Sequence, residues 1–175
     1  GLGMYRTADG SETWQAISGG LPEGADVVSI AVNPATPTEL FIGANSPGLP
    51  GWIYRSSDGG DTWALANTGL DPAYGDSFQV VIDPLTPSTL YAASSFGDPG
   101  TLGAVWKSTD SGATWGRLDS APADHSIECR AIDPNAPSTL YACASMNANL
   151  ASNGIYRSDD GGASWAPTGL TGVGE

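Results

Sequence analysis

The stretch Ser56-Ser-Asp58-Gly-Gly60-Asp-Thr62-Trp63 decides the fold of this chain, because close variants of it recur three more times. The related eight-residue phrases run over residues 7–14, 108–115 and 158–165, and each one ends in tryptophan. The four tryptophans are separated by 49, 52 and 50 residues. A fixed period of that size is typical of proteins that stack one repeated supersecondary unit.

A second phrase recurs in the same register and predicts a hairpin in each unit. Residues 33–41, 83–91 and 133–141 begin with Asn-Pro or Asp-Pro and end with Leu-Phe or Leu-Tyr. Apolar and β-branched runs lie on both sides of this rigid turn, which indicates two strands. A third run leads into the Asp-Gly-Gly phrase, whose glycines suit a tight hairpin, and a fourth run follows it. Each unit is therefore predicted to be a four-stranded antiparallel meander.

A single small meander buries little core, so neighbouring units must stack, and radial stacking of such sheets gives a β-propeller. We predict an all-β protein, a β-propeller of four-stranded antiparallel blades, with about three and a half blades in this chain. The expected boundaries are a half blade over 1–20 and blades over about 21–70, 71–120 and 121–175. Propellers usually close with about four to eight blades. We therefore expect a segment of a larger propeller, and assembly from copies of the chain stays an alternative.

The four phrases resemble the Asp-box, or BNR, repeat of sialidases, sortilin-type receptors, xyloglucanase-type glycoside hydrolases and photosystem II assembly factors. The resemblance covers essentially the whole chain, with one departure at Ser11, where the motif expects glycine. The sialidase resemblance implies an Arg-Ile-Pro phrase near the start, which this sequence lacks. The Pro-rich turn is closer to the xyloglucanases, but no residue here matches that family's catalytic acids.

In an up-and-down meander, both repeated phrases fall on the same edge of every blade. We interpret this edge as structural, because a ligand that touches a propeller asymmetrically has no use for the same group in every blade. A metal site would need several converging oxygens, so no metal or cofactor is expected. The residues assigned to the structural Asp-box are Asp9, Trp14, Asp58, Gly60, Trp63, Asp110, Gly112, Trp115, Asp160, Gly162 and Trp165.

The opposite edge holds irregular loops, and binding residues concentrate on variable loops carried by a rigid scaffold. Acids for glycoside hydrolysis would have to act as a pair at a defined separation, which the sequence does not give, so catalytic residues stay unassigned. The available acids are Asp71, Asp76, Asp98, Asp124 and Glu128. The candidate ligand-face residues are Asn45, Trp52, Asp71, Tyr74, Asp76, Phe96, Asp98, Asp124, His125, Asn147 and Asn149.

A basic residue follows an aromatic residue immediately before each Asp-Gly-Gly phrase. For these positions we predict a salt bridge or a ring contact within the blade. They are Arg6, Arg55, Lys107 and Arg157.

The two cysteines are predicted to face each other. If Ile132 lies opposite Leu140 in the hairpin, the antiparallel register also sets Cys129 opposite Cys143. Cross-strand neighbours can form a disulfide, so we predict a bridge, with two buried thiols as the alternative. A bridge implies an oxidising, extracellular or periplasmic location.

The net charge of the chain limits the classes of partner that it is expected to bind. Nineteen acidic residues against six basic ones give a formal net charge of -13, which argues against nucleic acid or an anionic membrane surface. We predict a non-catalytic extracytoplasmic scaffold that binds carbohydrate or protein through its irregular loops, beside further blades or copies of itself. One alternative is part of a xyloglucanase-like or sialidase-like glycoside hydrolase whose active site other blades complete. Another is a structural or filament subunit.

Overall fold

The computed structural model describes residues 4–46, 49–74, 77–95, 103–120, 126–145 and 154–171. These residues form short β-strands and a single-turn 3-10 helix, Pro72–Tyr74, and none of their helices is long and apolar enough to cross a membrane. The strands are β1 Tyr5–Arg6, β2 Gln15–Ala16, β3 Asp26–Val32, β4 Leu40–Ser46, β5 Leu49–Ser56, β6 Ala64–Leu65, β7 Ser77–Ile82, β8 Leu90–Ser95, β9 Val105–Ser108, β10 Gly116–Arg117, β11 Ser126–Ile132, β12 Leu140–Ser145, β13 Gly154–Ser158 and β14 Ala166–Thr171.

The strands pair in chain order into one two-stranded and three four-stranded antiparallel sheets. We name them blade 1 (β1–β2), blade 2 (β3–β6), blade 3 (β7–β10) and blade 4 (β11–β14). In each complete blade every strand pairs with the next one along the chain, as a meander requires. The predicted fold class, a partial β-propeller with about three and a half blades, is confirmed.

The inner hairpins of the three complete blades share one register. Val32 pairs with Leu40, and the corresponding residues of blades 3 and 4 pair in the same way. In blade 4 this register places Cys129 opposite Cys143, so the predicted alignment of the two cysteines is confirmed. Bulges interrupt the inner hairpins of blades 2 and 4 near the start of the first strand.

The hydrophobic core lies between blades and not within any one sheet. Leu40, Ile42 and Trp63 of blade 2 pack with Met4 of blade 1 in one cluster. A second cluster joins blades 2 and 3, and a third joins blades 3 and 4. Burial of apolar side chains between sheets is the main force that holds such thin units together.

The basic residue of each repeat makes the expected contacts within its blade in three cases. Arg55 pairs with Glu39 and lies over the Phe41 ring, and Lys107 and Arg157 also lie over rings of their own blades. Arg6 departs from the prediction. It reaches from blade 1 to blade 2, where it donates to Gly59 O at 2.7 Å and pairs with Asp61 at 2.9 Å, because the next blade's turn lies within its reach.

Candidate functional site

Each eight-residue phrase forms a compact hydrogen-bonded turn, which we call an Asp turn (residues 7–14, 56–63, 108–115 and 158–165). In blade 2 the Ser56 hydroxyl donates to Asp58 Oδ1 at 2.7 Å and accepts from the Gly60 amide at 2.8 Å. The Thr62 amide and hydroxyl donate to the two carboxylate oxygens of Asp58 at 2.9 and 2.6 Å. The other three turns repeat this network. Both oxygens of the aspartate are thus engaged by its own loop.

These hydrogen bonds keep the aspartates ionised. The hydroxyl at the end of each turn, followed by the amide of the same residue, lowers the pKa of Asp9, Asp110 and Asp160 to about 2. The same donors lower the pKa of Asp58 still further. A general acid or base works best with a pKa near the working pH, so these carboxylates suit a structural role.

In blades 2 and 3, the tryptophan that ends the Asp turn docks onto the preceding blade through two hydrogen bonds. The Trp63 amide donates to Gly19 O at 2.8 Å, and its indole N–H donates to Ile17 O at 2.7 Å. Trp115 makes the same pair of bonds to blade 2, at 2.9 and 2.8 Å. Both rings are buried, whereas Trp14 of blade 1 is 57% exposed. The half-buried Trp165 has no partner for its indole N–H among the described residues.

The second glycine of the Asp turn is needed for two reasons. Gly60 has φ +96°, and a Cβ there would lie 2.7 Å from Ile17 Cδ1 of the preceding blade. Gly112 and Gly162 also have positive φ and would meet Phe41 and Leu118 in the same way. Ser11 occupies this position in blade 1 with φ +81° and is exposed. The departure from the motif therefore falls on the turn that no described blade covers.

The two repeated phrases lie together at one edge of the blades. In each complete blade the Asp turn donates an amide hydrogen bond to the Pro-rich turn, at 2.8 to 2.9 Å. The pairs are Gly59 to Thr38, Ser111 to Ser88 and Gly161 to Ser138. We call this the uniform edge, and the loops at the other ends of the strands form the irregular edge.

A shallow groove of about 310 Å³ lies between β6 and the Asp turn of blade 3. Its lining is formed by small side chains with Leu65 and Arg55, and no aromatic side chain contributes. The Arg55 guanidinium is already held by Glu39. Because no aromatic side chain lines the groove, it lacks a ring on which a sugar could stack.

The irregular edge of blade 3 carries a group that we call the Tyr74 cluster: Tyr74, Trp106, Arg117 and Asp119. The half-buried Tyr74 ring meets Trp106 edge to face, with ring centroids 6.2 Å apart. The Arg117 guanidinium carbon lies 4.5 Å from the centroid of the Tyr74 ring, and Arg117 pairs with Asp119 at 2.6 Å. Trp106 is buried, and its indole N–H has no hydrogen-bond partner in the described part of the chain.

Local structure holds Tyr74 in place. Asp71 begins the 3-10 turn, where its carboxylate accepts from the Ala73 amide at 2.9 Å and its carbonyl accepts from the Tyr74 amide at 3.1 Å. The Ser94 hydroxyl at the end of β8 donates to the Tyr74 carbonyl. Asp71, a candidate ligand-face residue, thus positions the cluster and caps the turn.

Two further candidates lie on β4 and β5. Trp52 is half-buried and packs against the same apolar cluster between blades 2 and 3 as Tyr74 does. Asn45 is also half-buried, and its Oδ1 atom has no hydrogen-bond partner among the described residues. The structure therefore brings Trp52 and Tyr74 to one interblade cluster.

The remaining candidates lie outside the described residues. They are Asp76, Phe96, Asp98, Asp124, His125, Asn147 and Asn149. Within the described part of the chain, no group of three or more His, Cys, Asp or Glu side chains could hold a metal ion. Arg117 and Trp106 were missing from the candidates. Arg117 did carry a signal, because it is a basic residue that lies outside the repeat position shared by Arg6, Arg55, Lys107 and Arg157.

Cys143 is disulfide-bonded, and the residue opposite it in the strand register is Cys129, the chain's other cysteine. The predicted bridge is tested by mass spectrometry with and without reduction. Two thiols that alkylate freely in the native protein would contradict it.

The fold defines this chain as part of a β-propeller of four-stranded blades, and solved structures agree. A GH74 xyloglucanase from Xanthomonas campestris superimposes with a TM-score of 0.69 at 23% identity, covering 95% of this chain and 27% of that one. YCF48 from Cyanidioschyzon merolae gives 0.53 at 19%, covering 84% and 38%. A GH93 α-L-arabinofuranosidase of Fusarium graminearum gives 0.53 at 18%, covering 83% and 49%.

The chain thus spans about a quarter to a half of the length of these three structures. At such identities the similarity establishes the fold alone. No protein-family model and no curated protein matches the sequence.

Proposed function

We propose that this chain is a propeller segment that binds carbohydrate through its irregular edge, with the Tyr74 cluster as the contact surface. The observation that carries the proposal is a half-buried aromatic ring braced by an arginine on the edge built from irregular loops. The similarity in fold to a xyloglucanase and an arabinofuranosidase supports a carbohydrate ligand.

The chemistry of the cluster suits a sugar. Aromatic rings offer an apolar face for the C–H side of a pyranose, while nearby polar groups fix its hydroxyls. Arg117 and Asp119 supply charged donors and acceptors beside the Tyr74 ring. The Asp turns offer nothing comparable, because their carboxylates are engaged within the loop.

We propose further that the four Asp turns are Asp-boxes with a structural role, and that the protein works outside the cytoplasm. The first proposal is supported by the recurrence of one hydrogen-bond network in all four turns. The second is supported by the disulfide at Cys143, since disulfides persist in oxidising compartments.

A second candidate function is part of a glycoside hydrolase whose active site involves other blades. It is favoured by the similarity to GH74 and GH93 enzymes, which belong to two glycoside hydrolase families. Turnover of chromogenic glycosides or of xyloglucan distinguishes it from simple binding.

The test is calorimetric titration of the chain with xyloglucan and arabinan oligosaccharides. We expect binding without turnover, and about a tenfold loss of affinity in Tyr74→Ala, because ring contacts contribute on the order of 1 kcal/mol. Tyr74→Phe keeps the ring and should retain affinity. Tyr5→Ala removes a ring that is 54% exposed on blade 1 and serves as the matched control.

The proposal is wrong if no oligosaccharide binds, or if Tyr5→Ala weakens binding as much as Tyr74→Ala does. Melting curves of the three variants establish that each is folded. Release of sugar product would favour the hydrolase instead.

A further inference from the structure

Three large apolar side chains lie exposed in a row on β3, the innermost strand of blade 2. Val28, Ile30 and Val32 are 39%, 54% and 50% exposed. Side chains alternate between the two faces of a strand, so Ile30 and Val32 share one face, and Val28 lies two residues before Ile30 at the bulge of β3. We call this row the β3 stripe.

The corresponding row in blade 3 is buried. Val80 and Ile82 occupy the register positions of Ile30 and Val32, and Phe78 occupies the register position of Val27. Their exposed fractions are 0% for Phe78, 4% for Val80 and 8% for Ile82. Strands β3, β4 and β5 of blade 2 contact β7. In blade 3, which a complete blade precedes, this row is therefore a blade-to-blade interface.

The β3 stripe continues an interface that is already buried one strand further out. Ile42 on β4 pairs with Ile30, yet Ile42 is fully buried in the cluster that Met4 of blade 1 covers. In the described residues blade 1 consists of β1 and β2. Those two strands match the third and fourth strands of the other blades, because Tyr5 occupies the repeat position of Tyr54. Met4 and Ile17, which flank these strands, contact β4 and Trp63 of blade 2, whereas the β3 stripe stays exposed.

We propose that the β3 stripe, together with the edge of β1 that no described strand pairs with, is the docking site for a β-hairpin that supplies the two inner strands of blade 1. The second strand of the hairpin pairs with β1, as β4 pairs with β5 in blade 2. Edge strands with free backbone groups accept an added strand readily. The hairpin then buries Val28, Ile30 and Val32.

The hairpin β3–β4, which covers the buried row of blade 3, shows what chemistry the occupant needs. A Cβ at Gly43 would lie 1.6 Å from the Phe78 carbonyl oxygen, so only glycine fits there without a shift. The Ser29 hydroxyl donates to that carbonyl at 3.1 Å, and Phe41 packs further out in the same cluster. In blade 3 the hairpin β7–β8 packs on blade 4 with Ala93 at the register position of Gly43. The occupant therefore carries an aromatic residue on its second strand, followed two positions later by glycine or alanine.

A second folded copy fits this site poorly. In each described complete blade, the two inner strands are already paired within a four-stranded sheet. Offering them to another copy would break that pairing. The proposal therefore commits to a hairpin that is free of a sheet of its own.

The test titrates the full chain into a labelled peptide of residues 26–46, which is the chain's own inner hairpin, and follows fluorescence anisotropy. Saturable binding is expected. Ile30→Lys in the full chain should weaken it at least tenfold, and Gly43→Val in the peptide should do the same. Leu85→Lys, at a residue that is 66% exposed on a turn of blade 3, is the matched control and should leave the affinity unchanged.

Because Ile30 and Leu85 are both exposed, neither lysine disturbs the core, and melting curves verify this. Failure of the peptide to bind the parent chain overturns the proposal, as does binding that Ile30→Lys leaves unchanged. Self-association of the chain that Ile30→Lys abolishes would overturn it in favour of a second copy.

Discussion

At the scale of single residues, the repeated aspartates act as fixed acceptors inside their own turns. Each carboxylate receives an amide and a hydroxyl from the residue four positions on, and a third bond from the hydroxyl that opens the turn. Hydrogen bonds to the charged form lower a pKa. The ionised aspartates therefore stabilise the hairpin turns, and protonation of these aspartates removes that stabilisation.

This coupling predicts how stability depends on pH. A carboxylate whose pKa is lower in the folded state stabilises the fold fully above its unfolded pKa of about 3.9, and loses that contribution as pH falls through the folded value. The pKa of Asp110 is about 2 in the fold. We expect the melting temperature to be level from pH 7 to about 5 in this respect and to fall between pH 4 and about 2.

Thr114→Val checks the cause, because the Thr114 hydroxyl makes the largest contribution to the lowered pKa of Asp110. The gap in melting temperature between the parent and the variant should be widest above about pH 4 and should narrow towards about pH 2. A gap that stays constant over this range would contradict the linkage.

Ser11 and Gly60 occupy equivalent places in their turns but differ in surroundings, so opposite substitutions should act oppositely. Ser11→Gly should raise the melting temperature slightly, because a left-handed conformation costs a residue with a Cβ on the order of 1 kcal/mol. Gly60→Ser should cost about 3 kcal/mol, because the new Cβ would overlap Ile17 in addition to the strain. If Ser11→Gly and Gly60→Ser changed the melting temperature by the same amount in the same direction, this explanation would be refuted.

The sequence predicted the local roles better than the distant contacts. The donors to Asp58 lie within four residues of it, so the motif itself contained the whole network. The contact between Tyr74 and Arg117 joins a non-repeated link to an outer strand. No local pattern predicts such a pairing, because it depends on how the link crosses the blade.

At the scale of elements, the tryptophan that ends the Asp turn joins blade 2 and blade 3 to the blade before each of them. Trp63 donates both its amide and its indole N–H to the segment that leaves blade 1. The strands and their register followed from the repeated phrases, since each phrase fixes the position of a turn. The reach of Arg6 across to blade 2 did not follow, because the repeat shows which residues share a position but not which blade they contact.

The tryptophan contacts predict a clear difference between two matched substitutions. Trp63→Phe should lower the free energy of unfolding by about 2 kcal/mol, because it leaves a buried carbonyl without its donor and opens space in the core. Trp14→Phe, at the exposed equivalent in blade 1, should change it by no more than about 0.5 kcal/mol. Chemical denaturation measures both, and similar losses would show that the indole contacts do not hold the blades together.

At the scale of the whole molecule, the repeated structural turns lie at one end of the strands and the variable loops lie at the other end. The uniform edge repeats one hydrogen-bond network in every blade, and the irregular edge carries the Tyr74 cluster and Trp52. The predicted architecture is confirmed, and it was predictable because the period, the turns and the strand count all indicate the same fold. The candidate site was only partly predictable, because Arg117 and Trp106 join it through packing between elements that lie far apart in sequence.

The most direct test of this division is a titration followed by the indole N–H signals of the six tryptophans in a proton–nitrogen correlation spectrum. With a xyloglucan oligosaccharide, we expect the signals of Trp52 and Trp106 on the irregular edge to shift. The signals of Trp63 and Trp115 should stay in place, because both are bonded to the neighbouring blade. Shifts confined to the Asp-turn tryptophans, or no shift at any of the six, would contradict the account.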